Sequence, residues 1–445
     1  MKTSWRRLVP CLAALSAGLA GGGEKAPPKA EEDFLDRLKT VRVGDVVFKF
    51  GAEQRIRFER WNNEDLDDSR DDRDGRLFVR TRLRMDTDFA PWLRTCVELV
   101  DGREWLSERD PRSQNDDLDL HQAYVEFGGK PWMLRLGRQE LNFGSRRLIA
   151  APTWNNLLRS FDAVRASYTS ELVDLSAFCG SVVTNVHDHF NRHRRGERFS
   201  GIFATLKPVA NHKLDLYALR LHTWNPDYYV TGEDNVKGEH KRYTFGARLH
   251  GDIIPKRWTY ELEGAVQRGR YANDRIRAWA LYATTTYTLD LPWQPAIQPV
   301  LIYASGDKNP DDGTHGTFDH LYASTHNMFG GMMDRVGWRN VRSAGLRLRA
   351  KPHAKLTLGI EAHHYWLAED ADAWYLSTKR AFRRDKTGKS GSDIGCEVGL
   401  WARYAASKRL QLEGGIAHFF PGRFADKTGP SDGADFCYLQ AILKF

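Results

Sequence analysis

Apolar and charged residues alternate along the segment from Val79 to Phe89. One set of alternate positions is apolar or small, and the other carries three arginines followed by two aspartates. Side chains of an extended chain point to opposite faces with a period of two, so this segment predicts a β-strand with one apolar and one charged face. Residues 46–61 repeat the pattern, with Phe48 on one face and Arg55 and Arg57 on the other. Such repetition is typical of a barrel with an apolar exterior and a polar lumen.

The links between these segments are alternately short and long. From Val43 onward we count about eighteen segments of roughly ten residues, the length of a tilted membrane strand. Long links are expected at 62–75, 104–117, 140–160, 185–197, 225–239, 306–337, 368–391 and 421–434, and one link, Tyr271 to Asp274, is short where a long one is expected. The sequence therefore predicts an all-β fold, a transmembrane antiparallel β-barrel of about 18 strands with short periplasmic turns and long extracellular loops.

The N-terminus has the features of an export signal. Lys2, Arg6 and Arg7 precede a short apolar run that ends in small residues near Ala20, so we expect a signal peptide at 1–20. Residues 21–42 predict a flexible periplasmic leader, and 43–445 the barrel. No later apolar run approaches the roughly 20 residues of a membrane helix, which excludes a helical membrane protein.

The final strand ends in the aromatic residue Phe445. This ending resembles the signal that the barrel-assembly machinery of Gram-negative outer membranes reads. We therefore expect an outer-membrane location, with the outer-membrane lipid and that machinery as partners.

The net charge of +8 gives a sequence pI near 9.1. Export argues against nucleic acid as a partner, so we expect the charge to act on an anionic solute. A guanidinium matches a carboxylate bidentately, and a uronate polymer carries one carboxylate per sugar. In the alternative interpretation, each inward arginine pairs with a lumenal acid such as Glu53 or Glu98. By alternation the arginines predicted to face the lumen are Arg55, Arg57, Arg80, Arg82, Arg84, Arg94, Arg135, Arg165, Arg248, Arg347, Arg349 and Arg403.

Three stretches carry a family resemblance: Gly137–Gly144, Ala304–Gly313 and His418–Phe424. Together they resemble the signature of the alginate-export family of outer-membrane porins. The resemblance implies a monomeric eighteen-stranded barrel with an arginine-rich conduit that passes an acidic polysaccharide outward, and it is compatible with periplasmic export partners. It does not fix the sugar.

Other functions remain open at this point. One is a general porin for small anions, and another is a plugged structural barrel. A third is a barrel hydrolase of the outer-membrane phospholipase type, for which His364 or His418 could supply the base. Because the chain has no nucleophile elbow and no phosphate loop, we expect no enzymatic activity.

Two features of the long links suggest further chemistry. Asp307, Asn309 and Asp311 place oxygen atoms at alternate positions before Gly313, which is compatible with a calcium site, although the EF-hand register fails. A solvated acidic loop is the alternative, and no other cofactor is expected. The aromatic-rich links 140–160 and 306–337 are long enough to predict folding into or over the pore mouth.

Overall fold

The computed structural model describes residues 39–108, 114–186 and 189–445. The predicted signal peptide and the leader up to residue 38 lie outside these described residues. A short strand, Thr40–Val43, pairs with the start of the first long strand. The barrel strands are Val46–Asn62, Asp74–Ala90, Leu93–Trp105, Asp116–Gly128, Trp132–Gln139, Phe161–Thr169, Val173–Thr184, Glu197–Val209, His212–Thr223, His240–Ile254, Trp258–Tyr271, Asp274–Thr288, Ala296–Ala304, Val341–His353, Leu356–Trp366, Asp393–Ala405, Leu410–Pro421 and Ala434–Lys444.

The remaining elements are short and lie in the connections between barrel strands. In the described ranges, no helix combines the length and apolar character that a membrane crossing requires. These elements are the strands Arg192–His193, Val230–Thr231, Lys237–Gly238, Thr314–His315, Ala373–Tyr375 and Ala381–Arg384, the 3-10 helix Pro226–Tyr228 and the α-helix Arg423–Thr428.

The eighteen long strands form one closed antiparallel barrel. Each pairs with the next along the chain, and the last pairs with the first, with Glu53 opposite Lys444 and Asn62 opposite Asp435. Closure leaves no unpaired edge, which a membrane-spanning sheet requires. The predicted strand number is confirmed. The predicted short link is confirmed too, because Tyr271 and Asp274 face each other across a two-residue turn at 272–273.

Burial alternates along the strands as the hydrophobic pattern predicts. In Asp274–Thr288, Ala278 and Ala280 point inward and are buried, whereas Trp279 and Leu281 point outward and are exposed. The outward side chains form the apolar exterior that contacts hydrocarbon in a membrane barrel.

Packed side chains fill much of the extracellular half of the lumen. Phe318, Phe329 and Trp338 of the link 305–340 are buried, with ring centroids of Phe318 and Trp338 5.2 Å apart. This link enters the barrel and touches its wall, where the backbone N–H of Gly331 donates to Tyr365 Oη at 2.7 Å. A Cβ on Gly331 would lie 2.0 Å from Glu397 Oε1, so a larger residue here would have to displace the Glu397 carboxylate.

Candidate functional site

The link 140–160, called the inward loop below, crosses the lumen and is held there by arginines of the barrel wall. Arg55 donates to the backbone oxygens of Thr153 at 2.8 Å, Trp154 at 2.7 Å and Asn155 at 3.3 Å. Arg80 donates to the same oxygens of Thr153 and Asn155, at 2.9 and 2.8 Å. These bonds satisfy loop carbonyls that would otherwise be buried without donors. The prediction that this link folds into the pore is confirmed.

Arg57 adds a second kind of contact to the inward loop. It donates to the Trp154 oxygen at 2.5 Å, and its guanidinium carbon lies 3.8 Å from the centroid of the Trp154 ring. Its charge is balanced by Glu59 at 2.7 Å, as that of Arg80 is by Glu53 at 2.7 Å. Charge-assisted hydrogen bonds and a stacked indole together fix the loop against the wall.

Arg55, Arg57 and Arg80 therefore lie where alternation places them, but the inward loop covers them. Their exposed fractions are 1%, 2% and 2%. In this arrangement the three arginines hold the inward loop in place, and a passing solute does not reach them. The sequence pattern could not reveal this, because the covering carbonyls belong to residues 73 to 100 positions away.

Arg82 and Arg84 extend the row toward the short-turn end and meet a carboxylate cluster. Arg82 lies 2.6 Å from Glu98 and 3.3 Å from Glu140, and Arg84 lies 2.7 Å from Asp86. Glu98, Glu140 and His121 could approach one cation and are the one such histidine and carboxylate group in the described residues. Since the Arg82 guanidinium already supplies the positive charge between the two glutamates, this group is an ion-pair network.

Two lumenal cavities open in the periplasmic half of the barrel, on the side of the short turns. The first has a volume of ≈ 640 Å³ and is lined by polar groups that include Arg94, Arg165 and Ser167. The second, of ≈ 330 Å³, is lined by Arg347, Arg349, Arg403, Trp401 and Tyr438, with His326 and Asn327 of the link 305–340 at its boundary.

Most arginines of this half have a carboxylate partner. The pairs are Arg94 with Asp88 at 2.6 Å, Arg135 with Glu126 at 2.5 Å, Arg248 with Asp215 at 2.7 Å, Arg347 with Glu361 at 3.2 Å and Arg403 with Glu413 at 2.6 Å. Arg165 instead donates to the hydroxyls of Ser167 and Ser176, each at 3.2 Å. For Arg165 and Arg349, no carboxylate of the described residues lies within ion-pair distance. Of the predicted arginines that the inward loop does not cover, these two carry the uncompensated charge; Arg55 also has no carboxylate partner in the described residues but is covered by the loop.

The predicted calcium residues lie in the extracellular link 305–340. Asp307 is buried, while Asn309 and Asp311 are exposed and the Asn309 amide oxygen accepts from the Asp311 N–H at 3.3 Å. Glu233 and Asp372, from two other links, face Asp307. Burial and these two carboxylates raise the pKa of Asp307 to about 8. Calcium binding by this link stays a prediction.

The candidate bases of the hydrolase alternative are engaged elsewhere. His364 Nε2 lies 2.8 Å from Asp393, and His418 Nδ1 lies 2.7 Å from Asp435. Among the residues the structure describes, no serine hydroxyl is hydrogen-bonded to either imidazole. The catalytic pair that this alternative needs is not assembled here.

Solved structures with the same architecture include an outer-membrane protein. The chain is similar to OpdK from Pseudomonas aeruginosa, with 13% identity, a TM-score of 0.61, and coverage of 89% of this chain and 99% of that one. It is similar to P. aeruginosa OccK11 (OpdR), with 13% identity, a TM-score of 0.60 and coverage of 89% and 96%. OccK2 (OpdF) from the same organism, solved in complex with glucuronate, has 12% identity, a TM-score of 0.61 and coverage of 89% and 98%. At these identities the likeness shows the shared fold.

Sequence comparison identifies the family. No curated protein sequence matches the chain at a significant level. A family model described as alginate export matches residues 46–438, nearly the whole chain. The family and the fold are those of outer-membrane channel proteins of Gram-negative bacteria. This barrel, with its closed antiparallel sheet and loop-filled lumen, belongs to the alginate export family.

Proposed function

We propose that this outer-membrane channel passes an anionic, uronate-type saccharide through its arginine-lined lumen. The observation that carries the proposal is the pair Arg165 and Arg349, which line separate lumenal cavities without a carboxylate partner in the described residues. An uncompensated guanidinium in a wet cavity attracts a carboxylate that brings its own negative charge.

Neutralised arginines near these two keep binding weak. The ion pairs of Arg94 and Arg403 can exchange a protein carboxylate for a solute carboxylate at little net cost in charge. Several weak sites in series favour entry without trapping, which conduction requires. Trp401 adds a flat apolar surface beside Arg403, with 5.6 Å between its ring centroid and the guanidinium carbon. A sugar ring can stack on such a surface while its carboxylate meets the arginine.

A small-anion porin is the second candidate, and the packing of the lumen favours it. The inward loop and the link 305–340 both occupy the barrel interior, so the open path is narrower than the barrel itself. A constriction of this kind suits a small anion better than a long saccharide chain.

Planar-bilayer recordings with oligo-uronates of increasing length distinguish the two candidates. The saccharide channel predicts an anion-selective current that oligo-uronates block, with block strengthening as the number of carboxylates rises. Glucuronate, which is bound in the OccK2 (OpdF) structure, is the monomeric probe. An anion current that no oligo-uronate blocks would support the small-anion porin and contradict saccharide passage, and uncharged oligosaccharides of equal length provide the control.

A further inference from the structure

The outer face of the barrel carries a basic patch near its extracellular rim. It lies on neighbouring strands between Glu197–Val209 and Asp274–Thr288, close to the end with the long links. The strand positions next to these side chains, such as Gln267 and Ala278, point inward and are buried, so the cations point away from the lumen. We call this set the rim patch; its members are Arg198, Lys241, Arg268, Arg270, Arg275 and Arg277.

Strand register places like charges directly opposite one another in the rim patch. Arg268 pairs with Arg277, Arg270 with Arg275, and Lys241 with Arg270. Directly opposite side chains on one face have Cβ atoms about 5 Å apart, and like charges at that spacing repel. The register therefore concentrates positive charge across the two-residue turn at 272–273.

Among the described residues, protein carboxylates neutralise only the Lys241 charge of the rim patch. Glu239 lies 2.6 Å from Lys241 and balances it. In the part of the chain that the structure describes, no carboxylate comes within 4.0 Å of Arg268, Arg270, Arg275 or Arg277, and all four side chains are exposed. Four neighbouring guanidinium groups on a protein surface form a site for a polyanion.

The rim patch lies just beyond the apolar band of the barrel. On the same outward face, and one or two alternate positions nearer the short turns, come Tyr243, Phe245, Val266, Trp279 and Leu281, all exposed. Exposed aromatic residues at the edge of an apolar band mark the membrane interface. The patch is therefore at the level of the lipid headgroups of the outer leaflet.

We propose that the rim patch binds the phosphate groups of a phosphorylated glycolipid in the outer leaflet. A guanidinium matches a phosphate bidentately, and the two opposed arginine pairs suit a headgroup with two phosphates. The bound lipid relieves the repulsion within the patch and fixes the turn at 272–273 against the membrane surface. This inference depends on the outer-membrane location and is independent of the solute, because the patch faces away from the lumen.

The test measures lipid binding by the full chain in phosphatidylcholine nanodiscs. Diphosphoryl lipid A, monophosphoryl lipid A and phosphatidylglycerol are titrated separately, and bound lipid is counted by native mass spectrometry. The test variant combines Arg268→Gln, Arg270→Gln, Arg275→Gln and Arg277→Gln. The matched control removes four exposed cations at the short-turn end, with Lys256→Gln, Arg257→Gln, Lys355→Gln and Lys408→Gln.

The proposal expects diphosphoryl lipid A to bind most tightly and the test variant to bind it about tenfold or more weakly, given the contribution of each basic residue near an anionic surface. The control variant should bind it like the original chain, and both variants should keep their single-channel conductance, which shows that they fold. Unchanged binding in the test variant, or an equal loss in the control, would overturn the proposal. Displacement by an equal concentration of inorganic phosphate would also overturn it, because the site would then accept a free anion rather than a lipid.

Discussion

Arg55 and Asn156 are hydrogen-bonded inside the lumen, from the Arg55 Nη2 donor to the Asn156 Oδ1 acceptor at 3.1 Å. The Asn156 Nδ2 donates in turn to the backbone oxygens of Arg103 and Gln114, both at 3.0 Å. One fully buried amide therefore connects the inward loop to two strands of the barrel and to the link between residues 105 and 116.

We predict that Asn156→Leu loosens the inward loop and widens the channel. Leucine has a similar size but leaves the donor of Arg55 and the two carbonyl oxygens without their partner, which costs about 1–3 kcal/mol for each buried polar group left unpaired. Single-channel conductance should rise and become noisier. Asn155→Ala is the control, since the bonds to Arg55 and Arg80 use the backbone oxygen of Asn155. Identical conductance in a folded Asn156→Leu protein would show that the inward loop does not limit the current.

The unpaired lumenal arginines should set the ion selectivity. We predict that Arg165→Gln combined with Arg349→Gln lowers the anion-to-cation permeability ratio roughly twofold to fivefold, since one charge at about 4 Å contributes about 1 kcal/mol in water-like surroundings. Reversal potentials across a salt gradient measure this ratio. Arg268→Gln with Arg277→Gln removes the same charge from the lipid-facing surface and should leave selectivity unchanged. An equal shift in both variants would indicate a general effect of net charge.

Trp401 should matter for saccharide block and not for small ions. We predict that Trp401→Ala weakens block by oligo-uronates about fivefold, the effect of losing about 1 kcal/mol of aromatic contact, while the chloride current changes little. Trp401→Phe keeps a ring in the cavity and should retain most of the block. If oligo-uronates block the Trp401→Ala variant as strongly as the original chain, the hypothesis that sugars stack on this residue is wrong.

The extracellular links should loosen as pH rises. The Asp307 N–H donates to Asp372 at 2.9 Å, and the Gly313 N–H donates to Glu233 at 2.7 Å, so these carboxylates join three links. Because burial and the two neighbouring carboxylates raise the pKa of Asp307 to about 8, its neutral form stabilises the junction. That contribution is complete below the ordinary pKa of 3.8, falls as pH rises and is lost above about 8.

Trypsin cleavage after the exposed Lys308 reports on this junction. The quantity to compare is the cleavage rate of the original chain divided by that of the Asp307→Asn variant at the same pH. This ratio should be severalfold higher at pH 9 than at pH 6. The variant cannot ionise at this position, so it corrects for the pH dependence of the protease. A ratio that stays constant from pH 6 to pH 9 would contradict the prediction.

Sequence alone determined the strands, their number and the faces on which Arg55, Arg80 and Arg349 lie. Period-two alternation follows from the local geometry of an extended chain, and closure of the barrel adds only that each strand pairs with the next. The same rule places Arg268 and Arg277 on one face, but their pairing depends on the two-residue turn between their strands.

Tertiary structure decided which of these side chains are accessible. Arg55 and Arg80 are covered and Arg349 is open because the inward loop reaches the first pair and not the third. The meeting of Asp307 with Glu233 and Asp372 likewise brings together three links that are far apart in the chain. Long links have no periodicity that reports their path, since their positions follow from contacts made only after the barrel has closed.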